Sequence, residues 1–189
     1  FVIMAPSDQN ELIRMINTSL LIDDRPSAFR YPRGTGLINE NNNNKALEIG
    51  KGIILHEGND VAILNLGTRM QCCEESIKIL NDHNIFPTLA DARFAKPIDK
   101  ILLDQLLDNH KYLITIEEGA SGGFGASVLN YIHNERVKPT ATKINNIFFP
   151  DKFIDHQSSE DQYQEIGMDA YSIAKKIIKF FQDNVIDFQ

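Results

Sequence analysis

Two short runs limit what this chain can fold into. Val61-Ala62-Ile63-Leu64-Asn65-Leu66 and Tyr112-Leu113-Ile114-Thr115-Ile116 carry apolar or β-branched side chains on both faces of any strand they form. Such strands need a covering layer above and below, which makes them central strands of a buried sheet rather than half-exposed ribbons. The segments around them repeat apolar residues at helical spacing: Met70, Cys73, Ile77 and Leu80 form one stripe, Lys100 to Leu107 a second helix, Val128 to Ile132 a third and Ala170 to Phe181 a fourth. Strand alternating with helix predicts an α/β fold, a mostly parallel sheet with helices on both faces. Further strands are expected over Phe86 to Ala92 and Lys143 to Phe149, and a short acidic helix over Glu160 to Glu165. The turn Glu57-Gly58-Asn59-Asp60 predicts a hairpin joining Ile49 to His56 with Val61 to Leu66.

The first 34 residues read as a strand, helix, strand unit that lacks partner strands. Phe1-Val2-Ile3-Met4 is apolar, Ser7 or Asp8 can cap a helix with Leu12, Met15, Ile16 and Leu20 on one side, and Ser27 to Tyr31 is extended. That last strand delivers Arg30-Tyr31-Pro32-Arg33-Gly34, two guanidinium forks on a backbone stiffened by proline. Forks on a stiff rim suit a phosphate or carboxylate, and a solvated strand end is the competing reading. Asn39-Glu40-Asn41-Asn42-Asn43-Asn44-Lys45 has no means of building a core and marks a linker. The net charge of -7 opposes a nucleic-acid partner while leaving room for a small anion held locally. No run is long and apolar enough to predict a membrane span, so a soluble chain is expected.

The remaining chemical candidates are weaker. Gly119 to Gly125 turns a strand into a helix, but its spacing matches neither G-x-G-x-x-G nor a P-loop, so close packing explains it better than a phosphate cradle. Glu117 and Glu118 are neighbours on a strand and point to opposite faces. Asp91 and Arg93 flank a strand end, where a ligand contact and a structural ion pair are both open. His56, His83, His110, His133 and His156 show no metal-ligand spacing, and His156 follows Asp155, which could orient it. Cys72 and Cys73 are adjacent, a pattern of core thiols rather than of a disulfide framework.

Taken in order, Met4-Ala5-Pro6-Ser7-Asp8, Asp23-Asp24-Arg25-Pro26-Ser27, Phe29-Arg30-Tyr31-Pro32-Arg33-Gly34, Glu48-Ile49-Gly50-Lys51-Gly52, Ala90-Asp91-Ala92-Arg93-Phe94, Lys96-Pro97-Ile98-Asp99 and Glu117-Glu118-Gly119 with Gly122-Gly123-Phe124-Gly125 resemble the 1-deoxy-D-xylulose-5-phosphate synthase family. These synthases are thiamine-diphosphate enzymes of the transketolase type. Phe149-Pro150-Asp151-Lys152-Phe153-Ile154-Asp155-His156 is similar to the plant and cyanobacterial branch, with Gln157 where that pattern has glycine and Ala95 where a cysteine is common.

The resemblance implies three segments. Residues 1–38 would be the tail of the pyrimidine-binding domain, 39–47 a polar linker and 48–189 the transketolase C-terminal domain. The reaction it implies joins pyruvate to D-glyceraldehyde 3-phosphate with release of CO2, feeding isoprenoid precursor synthesis. Thiamine diphosphate and Mg2+ would be held upstream of Phe1, and no catalytic, cofactor or metal residue falls within this segment. Arg33 matches the arginine that grips the substrate phosphate, with Arg30 and Tyr31 as neighbours. The partners implied are the missing N-terminal part, covalent or as a separate chain, and a second copy in a homodimer. The location implied is a plastid-type organelle, apicoplast or chloroplast, with a bacterial cytoplasm as the alternative. A segment of this kind would be inactive alone. Competing readings are a C-terminal piece of a transketolase or of a 2-oxo acid dehydrogenase beta subunit, and a non-catalytic dimerisation or regulatory module.

Overall fold

The computed structural model describes residues 1–32, 34 and 44–185. A five-stranded sheet forms its centre, in the order β3 (Ile53–His56), β5 (Thr88–Asp91), β4 (Val61–Leu66), β7 (Tyr112–Glu117), β8 (Lys143–Ile147). All its neighbours run parallel except β3, which is antiparallel to β5. The two apolar runs are thus the adjacent strands β4 and β7, buried at every position. Their side chains divide by parity, as the two-residue period of a strand requires. Val61, Ile63, Tyr112, Ile114 and Ile116 face α2 (Met70–Asp82) and α6 (Ala170–Val185), where Cys73, Ile77, Leu80, Ile173 and Ile177 complete one core. Ala62, Leu64, Leu66 and Leu113 face α3 (Lys100–Asn109) and α4 (Phe124–Asn130), against Leu102, Leu103, Leu106, Phe124 and Val128. A π-helical turn (Tyr131–Glu135) continues α4, and α5 (Ser159–Glu165) precedes α6.

The hairpin expected between Ile49–His56 and Val61–Leu66 does not form: β3 pairs with β5, and β5 lies between β3 and β4. The turn passes over the start of β5 instead of folding back on itself. Asn59 N–H donates to the Phe86 carbonyl, Gly58 N–H donates to the Thr88 hydroxyl, and a Cβ at Gly58 would sit 2.1 Å from the Phe86 oxygen. A two-sided apolar strand gains more from neighbours on both edges than from a local turn, so β4 takes the centre and β3 the rim.

The N-terminal unit forms as expected, with β1 (Val2–Met4), α1 (Gln9–Leu20) and β2 (Ser27–Phe29). Asp8 caps α1, its carboxylate accepting from Glu11 N–H at 2.8 Å. β1 and β2 pair in parallel, and the third strand of their sheet is β6 (Phe94–Lys96), antiparallel to β1 and supplied from beyond β5. Val2, Met4, Met15, Leu47 and Phe94 fill a separate small core beneath it. Of the linker segment 39–47, residues 39–43 lie outside the described residues. Residues 44–47 are fastened to α1: the carbonyls of Asn44 and Lys45 accept from Asn17 and Arg14, and Leu47 N–H donates to the Thr18 hydroxyl at 2.7 Å.

Candidate functional site

A cleft of about 100 Å³ opens at the carboxyl ends of β1, β4 and β7, lined by Ala5, Arg30, Tyr31, Pro32, Leu66, Gly67, Thr68 and Glu118. Open α/β sheets bind ligands at this edge, because chains leaving parallel strands diverge there and expose backbone and side-chain donors. Arg30 extends the β1–β2 ladder, donating its N–H to the Met4 carbonyl, and its Nη1 donates to the Glu118 carbonyl at 2.8 Å. Tyr31 is exposed and stacks near Phe29, with ring centroids 6.1 Å apart. Arg33 lies outside the described residues.

The floor is shaped by one buried polar residue. Asn65, the polar member of the β4 run, is wholly buried and donates from Nδ2 to the Gly67 carbonyl at 2.7 Å, which fixes the turn out of β4. Gly67 takes a φ of 89°, a conformation that favours glycine. The Thr68 hydroxyl is buried in the cleft wall without a hydrogen-bond partner among the described residues. Arg30 brings to one wall of this cleft a guanidinium fork, the donor geometry that suits an oxyanion.

Glu117 and Glu118 separate as adjacent strand residues must. Glu117 is buried and accepts the Gly125 N–H at 2.8 Å, and a Cβ at Gly119 or Gly123 would lie 2.6 or 2.5 Å from its Oε2. The glycine-rich turn therefore wraps a protein carboxylate. Glu118 faces the other way, its carboxylate 2.6 Å from Arg69 Nε. The Arg69 guanidinium lies 3.5 Å from the centroid of the Tyr163 ring, and burial together with the Glu118 charge pushes the Tyr163 phenol up to about 12. Arg69 is absent from the sequence-level candidates, although a signal for it existed. It occupies the N-cap of α2, where a cation opposes the helix dipole and needs compensation from elsewhere.

Asp91 and Arg93 sit away from the cleft and do not pair by their side chains. Asp91 is buried and accepts the Arg93 backbone N–H at 2.9 Å, and burial raises its carboxyl to about 7. Arg93, at a φ of 58°, instead reaches Glu11 on α1 at 2.8 Å, and Glu11 also holds Arg14. His156 is exposed, as are His56, His83 and His133. His110 is half-buried between the Thr88 hydroxyl and the Leu106 carbonyl, a structural arrangement. Cys72 is half-buried and Cys73 fully buried, and burial raises both thiols. Among the described residues no three His, Cys, Asp or Glu side chains group in a way that could hold a metal ion.

A parallel-rich sheet clad on both faces, with a small cleft at its carboxyl edge, defines a layered α/β domain. The particular family follows from comparison with known proteins: residues 50–173 match the family described as "Transketolase, C-terminal domain", and the chain belongs to it. The chain is 42% identical over 180 residues to a probable 1-deoxy-D-xylulose-5-phosphate synthase 2, chloroplastic, of Oryza sativa subsp. japonica, covering 94% of this chain and 25% of that protein. It is 45% identical over 179 residues to the chloroplastic 1-deoxy-D-xylulose-5-phosphate synthase 1 of Cannabis sativa, covering 93% and 25%. The chain thus spans about a quarter of the length of these relatives.

Among solved structures, a split gene transketolase described as an inactive beta4 tetramer superposes with a TM-score of 0.82 at 24% identity, over 94% of this chain and 57% of that one. The transketolase of Campylobacter jejuni subsp. jejuni NCTC 11168 does so with a TM-score of 0.66 at 19% identity, over 95% and 26%. At these identities the two structures speak for the fold. No helix among the described residues is long and apolar enough to cross a membrane.

Proposed function

We propose that this chain is the C-terminal part of a plastid 1-deoxy-D-xylulose-5-phosphate synthase, and that its Arg30–Arg33 segment holds the phosphate of D-glyceraldehyde 3-phosphate while pyruvate is joined to it with loss of CO2. The observation that carries this reading is the identity of 42–45% to chloroplastic synthases over more than nine-tenths of the chain. The cleft supports the acceptor assignment, since the Arg30 guanidinium lines it. Arg33 is the primary phosphate ligand in this proposal and Arg30 the secondary one, with Tyr31 beside them. Thiamine diphosphate with Mg2+ supplies the carbanion chemistry when bound. The resemblance to the synthases assigns both to the part of the protein outside this chain. That part is the obligatory partner, joined covalently or as a companion chain, and the assembly is a homodimer.

The test is steady-state kinetics of the complete enzyme with phosphorylated and unphosphorylated acceptors. Arg33→Ala removes a charge-assisted contact worth about 1.5–3 kcal/mol, so kcat/KM for D-glyceraldehyde 3-phosphate should fall roughly ten- to hundredfold. Turnover of D-glyceraldehyde, which never makes the contact, should barely change, and KM for pyruvate should hold. Equal losses with both acceptors would show that the segment is structural and that the phosphate assignment is wrong. This chain alone should form no product.

A further inference from the structure

Arg30 stands on an exposed strand end, so something must hold its guanidinium over the cleft rather than let it sweep through solvent. What holds it is a backbone carbonyl, that of Glu118, 2.8 Å from Nη1. A contact to a neutral carbonyl orients the guanidinium without neutralising it, which preserves its attraction for an anion. The direction of that carbonyl depends on how residue 118 is fixed at the end of β7. Two contacts fix it. Phe149 N–H donates to the Gly119 carbonyl at 2.8 Å, and the Glu118 carboxylate lies 2.6 Å from Arg69 Nε, an ion pair without an aligned hydrogen bond whose side chains are 19% and 13% exposed. Arg69 is itself immobilised, stacked 3.5 Å over Tyr163 of α5, whose ring lies 6.2 Å from that of Phe149. The arrangement is a relay of rigid contacts from α5 through Arg69 and Glu118 to Arg30.

We infer that Arg69 is a positioning residue for the acceptor-phosphate site, acting through Glu118 on Arg30 without touching the substrate. The inference rests on the phosphate reading of the cleft and extends it to a residue that lies outside the Arg30–Arg33 motif. A residue serving stability alone would have no reason to act through Arg30. An arginine at a helix N-cap, where the dipole disfavours it, is compensated by the Glu118 carboxylate.

The experiment is a double-mutant cycle on the complete enzyme with Arg69→Ala, Arg30→Ala and both together, read as KM for D-glyceraldehyde 3-phosphate and for D-glyceraldehyde. Arg69→Ala should raise KM for the phosphorylated acceptor about three- to tenfold, with kcat and the unphosphorylated acceptor little changed. In the Arg30→Ala background it should add almost nothing. Arg69→Lys should recover part of the loss, since it keeps the charge facing Glu118 but not the flat stack on Tyr163. If Arg69→Ala folds poorly, Tyr163→Leu gives the same reading by removing both the ring under Arg69 and the phenol's hydrogen bond to Glu118, with a rise in the same acceptor's KM. Additive effects in the cycle, or equal changes with both acceptors, would overturn the inference while leaving the phosphate reading intact. If Arg30→Ala and Arg33→Ala both leave the preference for the phosphorylated acceptor unchanged, the phosphate reading falls and the inference falls with it.

Discussion

Gly123→Ala is the substitution whose cost the structure prices most directly. The left-handed φ that reserves a position for glycine is not what holds Gly123, whose φ is −81° and ψ −136°. The added methyl would instead lie 2.5 Å from Glu117 Oε2 and 2.9 Å from both Cδ and Oε1, closer than such atoms approach. Glu117 is 4% exposed and pinned by the Gly125 N–H at 2.8 Å, so its carboxylate cannot swing into water. Making room means giving up that charge-assisted hydrogen bond or holding the side chain off its rotamer, together about 2–4 kcal/mol. For a chain of this size that lowers Tm by about 5–15 °C. Urea denaturation followed by far-ultraviolet circular dichroism measures the loss. The Glu117→Ala background supplies the control: with the carboxylate gone, the part of the cost that comes from the clash should disappear. An alanine at 123 that is as stable as glycine, or a cost unchanged in the Glu117→Ala background, would refute the claim that the glycines exist to enclose this carboxylate.

Two further outcomes follow from buried titratable groups. Burial raises the Asp91 carboxyl from an ordinary 3.8 to about 7, so between those values the folded state holds a proton that the unfolded state has lost. Stability should therefore decline as pH rises from about 4 to 7, and Asp91→Asn should flatten that decline in denaturant melts taken across the window. Burial also raises the thiols of Cys72 and Cys73, the second most, so iodoacetamide at neutral pH should modify Cys72 slowly and Cys73 only once the chain is unfolded, as peptide mass mapping would show.

The central fold was legible because its signals are local and strong. Two-sided apolar strands demand a covered sheet, and the helical stripe of Met70, Cys73, Ile77 and Leu80 is the buried face of α2. The hairpin was misread because a Gly-Asn-Asp turn specifies a reversal, not which strand the returning chain will meet. That choice depends on Phe86 and Thr88, some thirty residues away, which receive the turn's N–H groups. The cleft was half legible. Arg30 and Tyr31 advertise themselves through the proline-stiffened motif, whereas Thr68 and Arg69 meet Glu118 only when β4 and β7 lie side by side. Asn65 was another overlooked local hint, a polar residue inside an apolar strand that needed an internal partner and found the turn beside the cleft.

The position of the cleft makes its geometry conditional on how two pieces of the chain dock. Arg30 arrives from β2, while Thr68 and Glu118 arrive from β4 and β7 of the larger sheet. What sets β2 against that sheet is β6, which leaves the larger sheet at Asp91 and pairs with β1, together with the buried contact from Arg93 to Glu11. Glu11 accepts both Arg93 and Arg14, so one carboxylate balances two guanidinium groups where little water reaches. Losing either partner of such a pair leaves a buried charge uncompensated, a larger penalty than the pair's own attraction repays. The junction is therefore held in one arrangement rather than in several. A cleft built from separate segments needs that rigidity, because a displacement of even an ångström at β2 would carry Arg30 away from the Glu118 carbonyl and from any phosphate it is to meet.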